Sequence, residues 1–140
     1  MALALSHVVP DLAVKAMKGQ DPLHILGSGN QVRHYTYGGD IAHGIRLAME
    51  SDAAINEDFN LSTGQGTTVM ELANMIWQKV HGNRPIRVVH DPPFEHDVQM
   101  RIPDVRKACE VLGFTATTTL DQALDEVIPW IQDEMAAGRI

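Results

Sequence analysis

Between Gly27 and Asp40 the chain reads Gly-Ser-Gly-Asn-Gln-Val-Arg-His-Tyr-Thr-Tyr-Gly-Gly-Asp, and this stretch limits the folds open to the rest. It sets a glycine turn, one arginine and two tyrosines between an apolar run (Leu23, Ile25, Leu26) and a helix expected to open at Asp40. Gly27 and Gly29 allow positive φ and close backbone approach, which turns that hold ligands use. On an extended piece after the turn, Val32, His34 and Thr36 share one side and Arg33, Tyr35 and Tyr37 the other. A guanidinium beside a glycine turn suits a phosphate or diphosphate, because its planar fork takes two oxygens at once. The same residues also read as a hairpin turn with Arg33 paired to a surface carboxylate. Local chemistry leaves both readings open.

The 140 residues are read as a single domain, 1–140, with room for a modest core. A net charge of −7 with 11 scattered basic residues disfavours nucleic acid as a partner. The lone Cys109 excludes an intramolecular disulfide and fits a reducing cytoplasm. No run approaches the length of a membrane helix, and Met1–Leu5 lacks the basic region and length of a signal peptide. The expectation is a soluble, cytoplasmic α/β domain with no membrane partner.

Periodicity then places the elements. A first helix is expected over Val8 to Lys18, capped by Ser6 and ended by Gly19, with Val9, Leu12, Ala13, Ala16 and Met17 on one face. Asp21-Pro22 makes a turn, and Leu23 to Leu26 a short strand. Asp40 is expected to cap a helix whose buried face carries Ile41, Ile45, Ala48 and Met49. Asp58 to Ser62 reads as a buried strand. Thr68 and Glu71 form a capping box opening a third helix, in which Val69, Leu72, Ala73, Ile76, Trp77 and Val80 repeat at helical spacing, with Gly82 at its end. A strand follows at Ile86 to Val89. Asp104 is expected to cap a short helix burying Val105, Ala108, Cys109 and Leu112, closed by Gly113. Thr119 with Gln122 opens a last helix, inside which Pro129 removes a backbone bond.

The loop from His90 to Asp97 carries two histidines and three carboxylates, but no ligand-pair spacing, and its two prolines splay the side chains. No metal is assigned to it. Cys109 has no basic neighbour placed to lower its pKa and is read as structural.

Gly27, Gly29, Gln31, Arg33, Tyr37 and Asp40 resemble the G-x-G-x-Q-x-R-x-x-x-Y-x-x-D segment of extended short-chain dehydrogenases/reductases, the NAD-dependent nucleotide-sugar epimerases and dehydratases. Further segments agree in order. Ser6-His7-Val8-Val9-Pro10 resembles the segment where a polar side chain and the next backbone amide touch the substrate diphosphate; the family often has Asn at the place of His7. The strand holding His24 and Leu26 resembles the one whose backbone reads the base. Asp97-Val98, Arg101, Pro103 and Asp104 resemble the G-D-V segment that approaches the diphosphate. Val111-Leu-Gly-Phe-x-Ala-x-Thr-Thr-Leu120 resembles the family's tail. There are departures: Phe94 stands where an arginine is common, His96 where glycine is, and His34 where aspartate is.

The resemblance implies the C-terminal part of that architecture, with the last strand and helix of the dinucleotide-binding sheet plus a small α/β substrate-binding domain. It implies a nucleotide-diphosphate sugar as ligand, with substrate-binding residues His7, Val8, His24, Leu26, Arg33, Asp97 and Arg101. The chain has no G-x-x-G-x-x-G and no Tyr-x-x-x-Lys. NAD and the proton-transferring tyrosine of the family therefore have no counterpart here. The expectation is a nucleotide-sugar-binding portion that binds no NAD and assigns no catalytic residue, joined by a separate Rossmann-domain chain if it is to act. The alternative is a non-catalytic, homo-oligomeric interaction module, associating through an apolar edge at Ile41, Ile45, Phe59 and Leu61.

Overall fold

The computed structural model of the protein describes residues 7–140, so the expected cap at Ser6 lies outside the described residues. Helices and short strands alternate: α1 (Val8–Met17), β1 (Leu23–Leu26), β2 (Val32–Arg33), α2 (Gly38–Glu50), β3 (Thr67–Thr68), α3 (Val69–His81), β4 (Val88–Asp91), α4 (Arg106–Leu112) and α5 (Leu120–Ala136). This is the mixed α/β arrangement that the sequence led us to expect. The chain separates into two compact units, the first built from the chain up to Gln31 with Thr68–Gln99 and Leu124–Ile140, the second from Val32–Thr67 and Met100–Ala123.

In the first unit β1 runs parallel to β4, with Leu23 opposite Val88 and Leu26 opposite Asp91. The second strand starts two residues later than Ile86, where the pattern had placed it. Leu23 and Ile25 point inward, and the burial alternates along β1 as the pleat requires. A two-stranded parallel pair is not stable alone. Here α1 and α3 cover it with Leu12, Ala13, Ala16, Leu72, Ala73, Ile76 and Trp77, all buried. Each large side chain removed from water in this way contributes about 1.5–3 kcal/mol. Trp77, 1% exposed, also needs a partner for its N–H, and Nε1 donates to the Arg84 carbonyl at 2.9 Å. The capping box at α3 is formed: the Glu71 amide donates to Thr68 Oγ1 and the Thr68 amide to Glu71 Oε2. Gly82 closes that helix at φ +63°. From Leu124 on, α5 adds Leu124, Ile128 and Ile131 to this core, and the helix continues through Pro129.

Asp21 precedes β1, and its side chain, 10% exposed, accepts from Arg84 and from Arg87 Nε at 2.8 Å. These contacts tie the approach to β1 to the segment leading into β4.

In the second unit β2 pairs with β3, and Val32 also bridges in parallel to Met100. Several expectations are corrected here. Tyr37, not Asp40, is the N-cap of α2. Asp40 lies in the first turn, buried, and accepts from the Thr118 amide at 3.0 Å and from Thr117 Oγ1 at 3.5 Å. Its carboxylate faces the positive end of the helix dipole and turns inward, so it joins α2 to the start of α5 rather than capping from outside. Besides Asp40, the buried position of α2 is Gly44, while Ile45 and Met49 are 49% and 83% exposed and Ile41 and Ala48 half-buried. The missing side chain at Gly44 lets α2 lie against Leu61 and Phe114, and this leaves Ile45 and Met49 facing outward. Residues 58–62 form no strand; Phe59 and Leu61 are half-buried, and Lys107 Nζ sits 5.1 Å from the Phe59 ring centre. Among the described residues no strand pairs with that run.

Val105 rather than Asp104 is the N-cap of α4. Asp104 instead holds Arg106 through its amide and guanidinium, which keeps its carboxyl pKa down to about 2. Ala108 is the buried residue of α4, and Cys109 is exposed rather than buried, because the helix is seven residues long and presents a single row inward. Gly113 ends it in the left-handed conformation.

Two expected outcomes follow from this packing. Replacing a helix-interior glycine by alanine ordinarily adds up to about 1 kcal/mol. At Gly44 a Cβ would lie 2.9 Å from Leu61 Cδ2 and from Phe114 Cδ2. Gly44→Ala should therefore lower stability by roughly 1–2 kcal/mol in urea unfolding, and a stabilised variant would contradict the contact. The Arg87 hydrogen bond, with Arg84 adding, holds the Asp21 carboxyl below its ordinary pKa. A depressed carboxyl contributes stability above its unfolded pKa, and that stability is lost as the pH falls toward the folded value. Melting temperature should fall less steeply below about pH 4 in Asp21→Asn than in the wild type. Parallel acid limbs would mean that the pair contributes nothing.

Candidate functional site

The glycine stretch lies across the join of the two units, and each part has its own geometry. In the first unit the turn after β1 is held on three sides. The Gly27 amide donates to the Asp91 carbonyl at 2.9 Å, and His90 Nδ1 lies 2.9 Å from the Gly27 carbonyl oxygen. The Met70 amide, at the start of α3, donates to the Gly29 carbonyl at 2.9 Å. Both glycines have positive φ, +71° and +77°, which explains why the turn needs them. Gln31 is buried behind the turn, and its Nε2 donates to the Leu26 carbonyl at 3.1 Å and to Asp97 Oδ2 at 2.7 Å.

Five of the sequence-derived candidates belong to this unit. His7 is the N-cap of α1, exposed and with no side-chain capping bond, and Val8 is the first helical residue, half-buried. His24 and Leu26 lie on β1, where they alternate with the buried Leu23 and Ile25. The His24 amide donates to Gln20 Oε1, its carbonyl accepts from Lys15 Nζ, and its ring Nδ1 lies 2.9 Å from Asp91 Oδ1. The backbone edge that the sequence marked as base-reading thus already meets Lys15, Gln20 and, at Leu26, Gln31. Asp97 is held by Gln31, with Gln99 Nε2 at 3.5 Å from the same oxygen.

The other two candidates, Arg33 and Arg101, both lie in the second unit, on backbone segments that run side by side. The Val32–Met100 bridge sets position 101 in register beside position 33, and the Arg101 amide donates to the Val32 carbonyl at 3.3 Å. Arg33 is half-buried, with Nη1 donating to the Val32 carbonyl at 2.9 Å, and Arg101 is exposed. Adjacent strands lie roughly 4.8 Å apart, so the backbones at positions 33 and 101 are neighbours. Tyr35 shares the Arg33 side of the extended piece. Its hydroxyl is buried and has no hydrogen-bond partner among the described residues. Burial raises the phenol's pKa above its ordinary value, an effect that the Arg33 charge partly offsets. On the opposite side His34 Nδ1 lies 2.8 Å from the Thr63 carbonyl oxygen, so the histidine that replaces the family's aspartate is tied to the backbone.

The loop from His90 to Asp97 sends its polar groups to separate partners: His90 to Gly27, Asp91 to His24 and Asp97 to Gln31. Among the described residues no group of three metal-ligating side chains converges. A dinucleotide cofactor does not fit the glycine turn. A pyrophosphate cradle requires the turn to open a helix, whose N-terminus supplies free amides. Here the turn leads to β2, and the Gly27 amide is already spent on Asp91.

Sequence reading missed Gln31 as a brace and Lys15, Gln20 and Asp91 as partners of His24. Gln31 stood in the motif, but only its position between a glycine turn and a strand hinted at burial. The others are long side chains from elements far away in sequence, and no local pattern marks them. No helix among the described residues is long and apolar enough to cross a membrane.

The chain resembles known proteins in sequence and in fold. The profile of the GDP-mannose 4,6 dehydratase family matches residues 4–127. The chain is 34% identical over 119 residues to a putative UDP-glucose 4-epimerase of Methanocaldococcus jannaschii, covering 85% of this chain and 37% of that protein. It is 30% identical over 128 residues to UDP-glucuronic acid decarboxylase 1 of Danio rerio, covering 91% of this chain and 29% of that protein. Among solved structures, an epimerase from Methanothermobacter thermautotrophicus superposes with a TM-score of 0.85 at 26% identity, over 96% of this chain and 39% of the other. A UDP-glucose 4-epimerase from Thermotoga maritima, solved with UDP-glucose, gives 0.81 at 31% identity, over 93% and 40%. The chain thus spans between about three and four tenths of the length of the proteins it matches. Its sequence match over nearly all of its own length and its shared fold place it in the NAD-dependent nucleotide-sugar epimerase/dehydratase family of extended short-chain dehydrogenases/reductases, within the group described by GDP-mannose 4,6 dehydratase.

Proposed function

We propose that this chain is the nucleotide-sugar-binding portion of an epimerase or dehydratase and does not catalyse by itself. The register that sets Arg101 beside Arg33 is the observation that carries the reading. Phe94 stands where the family commonly has its second arginine, and Arg101 supplies a guanidinium from the neighbouring backbone instead. Arg33 takes the diphosphate bidentately, with Arg101 neutralising its second charge. His7 and the Val8 amide, at the positive end of α1, add donors for phosphate oxygens. The backbone at His24 and Leu26 meets the base once Lys15 yields the His24 carbonyl. Asp97, a carboxylate, suits hydroxyl groups rather than phosphate. NAD is not bound by these residues, and hydride transfer would require a Rossmann portion, on the same protein or on a separate chain, in the cytoplasm.

A second reading has its own support. In the second unit Ile45, Ala48, Met49, Phe59 and Leu61 line an open apolar groove of about 320 Å³. This is close to the edge expected to be uncovered, and it favours a homo-oligomeric interaction module.

A thermal-shift panel of UDP, dTDP, GDP and CDP sugars, with NAD, separates the two. A ligand at one hundred times its dissociation constant adds about 2.7 kcal/mol of stability. One nucleotide sugar should raise the melting temperature of the wild type. In Arg33→Ala that shift should vanish while the ligand-free melting temperature stays. NAD should shift neither protein. A ligand shift preserved in Arg33→Ala would remove the arginine from the site. No shift with any sugar, together with a stable oligomer in sedimentation, would favour the interaction module.

A further inference from the structure

We infer that Gln31 is a positioning residue, whose amide fixes the Asp97 carboxylate and the Leu26 carbonyl for a bound nucleotide sugar; this rests on the proposed function. Gln31 is 4% exposed, and both of its amide hydrogens are used on different segments, the end of β1 and the loop after β4. The bond to Asp97, at 2.7 Å, has the length of a charge-assisted contact. Its backbone carbonyl accepts from the Val69 amide at 3.1 Å, so the residue is anchored at the start of α3 as well.

The turn is shaped around this amide. A Cβ on Gly27 would lie 2.3 Å from Gln31 Nε2, so no residue with a side chain fits there while the amide holds its place. The far end of the same amide shows what the arrangement costs. Gln31 Oε1 is enclosed and has no hydrogen-bond partner among the described residues. Leaving a buried acceptor unsatisfied is unfavourable, and an apolar side chain of similar length would avoid it. As a packing element Gln31 is a poor choice. As a neutral double donor between a carbonyl and a carboxylate it is a good one, because lysine or arginine would add charge and aspartate or glutamate would repel Asp97.

The test is a double-mutant cycle on affinity for the sugar that shifts the wild type, using Gln31→Met, Asp97→Ala and the double variant. Gln31→Met should melt near the wild-type temperature, since it removes an orphaned carbonyl along with two hydrogen bonds. It should weaken binding by about 10-fold, the order of one net hydrogen bond. In the Asp97→Ala background the same substitution should cost less affinity than in the wild type, because only the Leu26 carbonyl is left for the amide to position. Gln31→Asn, one methylene short of both acceptors, should reproduce the loss if the methionine variant does not fold. Full affinity in a folded Gln31→Met, or an equal loss with and without Asp97, would overturn the inference and leave the proposed function standing. Failure of both Gln31 variants to fold would overturn it in favour of a structural brace. A wild type that binds none of the four sugars would overturn the proposed function and this inference with it.

Discussion

The parallel register of β1 on β4 is the constraint on which the first unit depends. Leu23 opposite Val88 and Ile25 opposite His90 put the two buried side chains of β1 under α1 and α3. A slip by one residue would turn them to solvent and bring His24 and Leu26 inward. Two strands cannot hold such a register alone. It is fixed from outside, by the Leu23 amide on the Arg87 carbonyl at one end and the Gly27 amide on the Asp91 carbonyl at the other. Asp21, bonded to Arg84 and Arg87, locks the first of these ends, and the glycine turn locks the second.

That second lock links fold to function. The turn at Gly27–Gly29 closes the strand pair, meets α3 through Met70, and makes room for the amide that reaches Asp97. It then delivers the chain to β2, where Arg33 stands. The turn's amides and carbonyls are largely used internally, so its glycines serve the strand pair and the start of α3. In the proposed site the charge for a diphosphate comes from side chains that follow the turn and not from the turn itself.

What the sequence made legible follows from how local each signal is. The capping boxes at Thr68–Glu71 and Thr119–Gln122 need only residues three apart, and both form. Trp77 and its neighbours repeat at helical spacing, and Leu72, Ala73, Ile76 and Trp77 are buried as read, while Val69 and Val80 at the ends of the stripe are half-buried. Asp40 and Asp104 were misread as caps because an acidic residue near a helix start fits several geometries. One turned inward to Thr118, and the other turned to Arg106 next door. The run Asp58–Ser62 has strand composition, but a strand exists only through its partner, and composition does not name one. Lys15 on the His24 carbonyl was illegible for the same reason: it joins two elements through a long side chain that any surface helix carries.

The misreading of α2 bears most directly on what the chain does. Ile41, Ile45, Ala48 and Met49 form an apolar stripe, and such a stripe normally marks the face that packs inward. Within its own unit, however, α2 packs through Gly44, because Leu61 and Phe114 come closer to the helix axis than any side chain there allows. One helix cannot turn both faces to one neighbour. With Gly44 inward, Ile45 and Met49 are left lining an open groove with Phe59 and Leu61. The stripe is then a specification for a cover that the described residues do not supply, and the half-buried Phe59 and Leu61 belong to the same surface. The proposed ligand site at Arg33 and the proposed association surface at Met49 use different residues of the second unit. A substitution at one therefore leaves the residues of the other untouched.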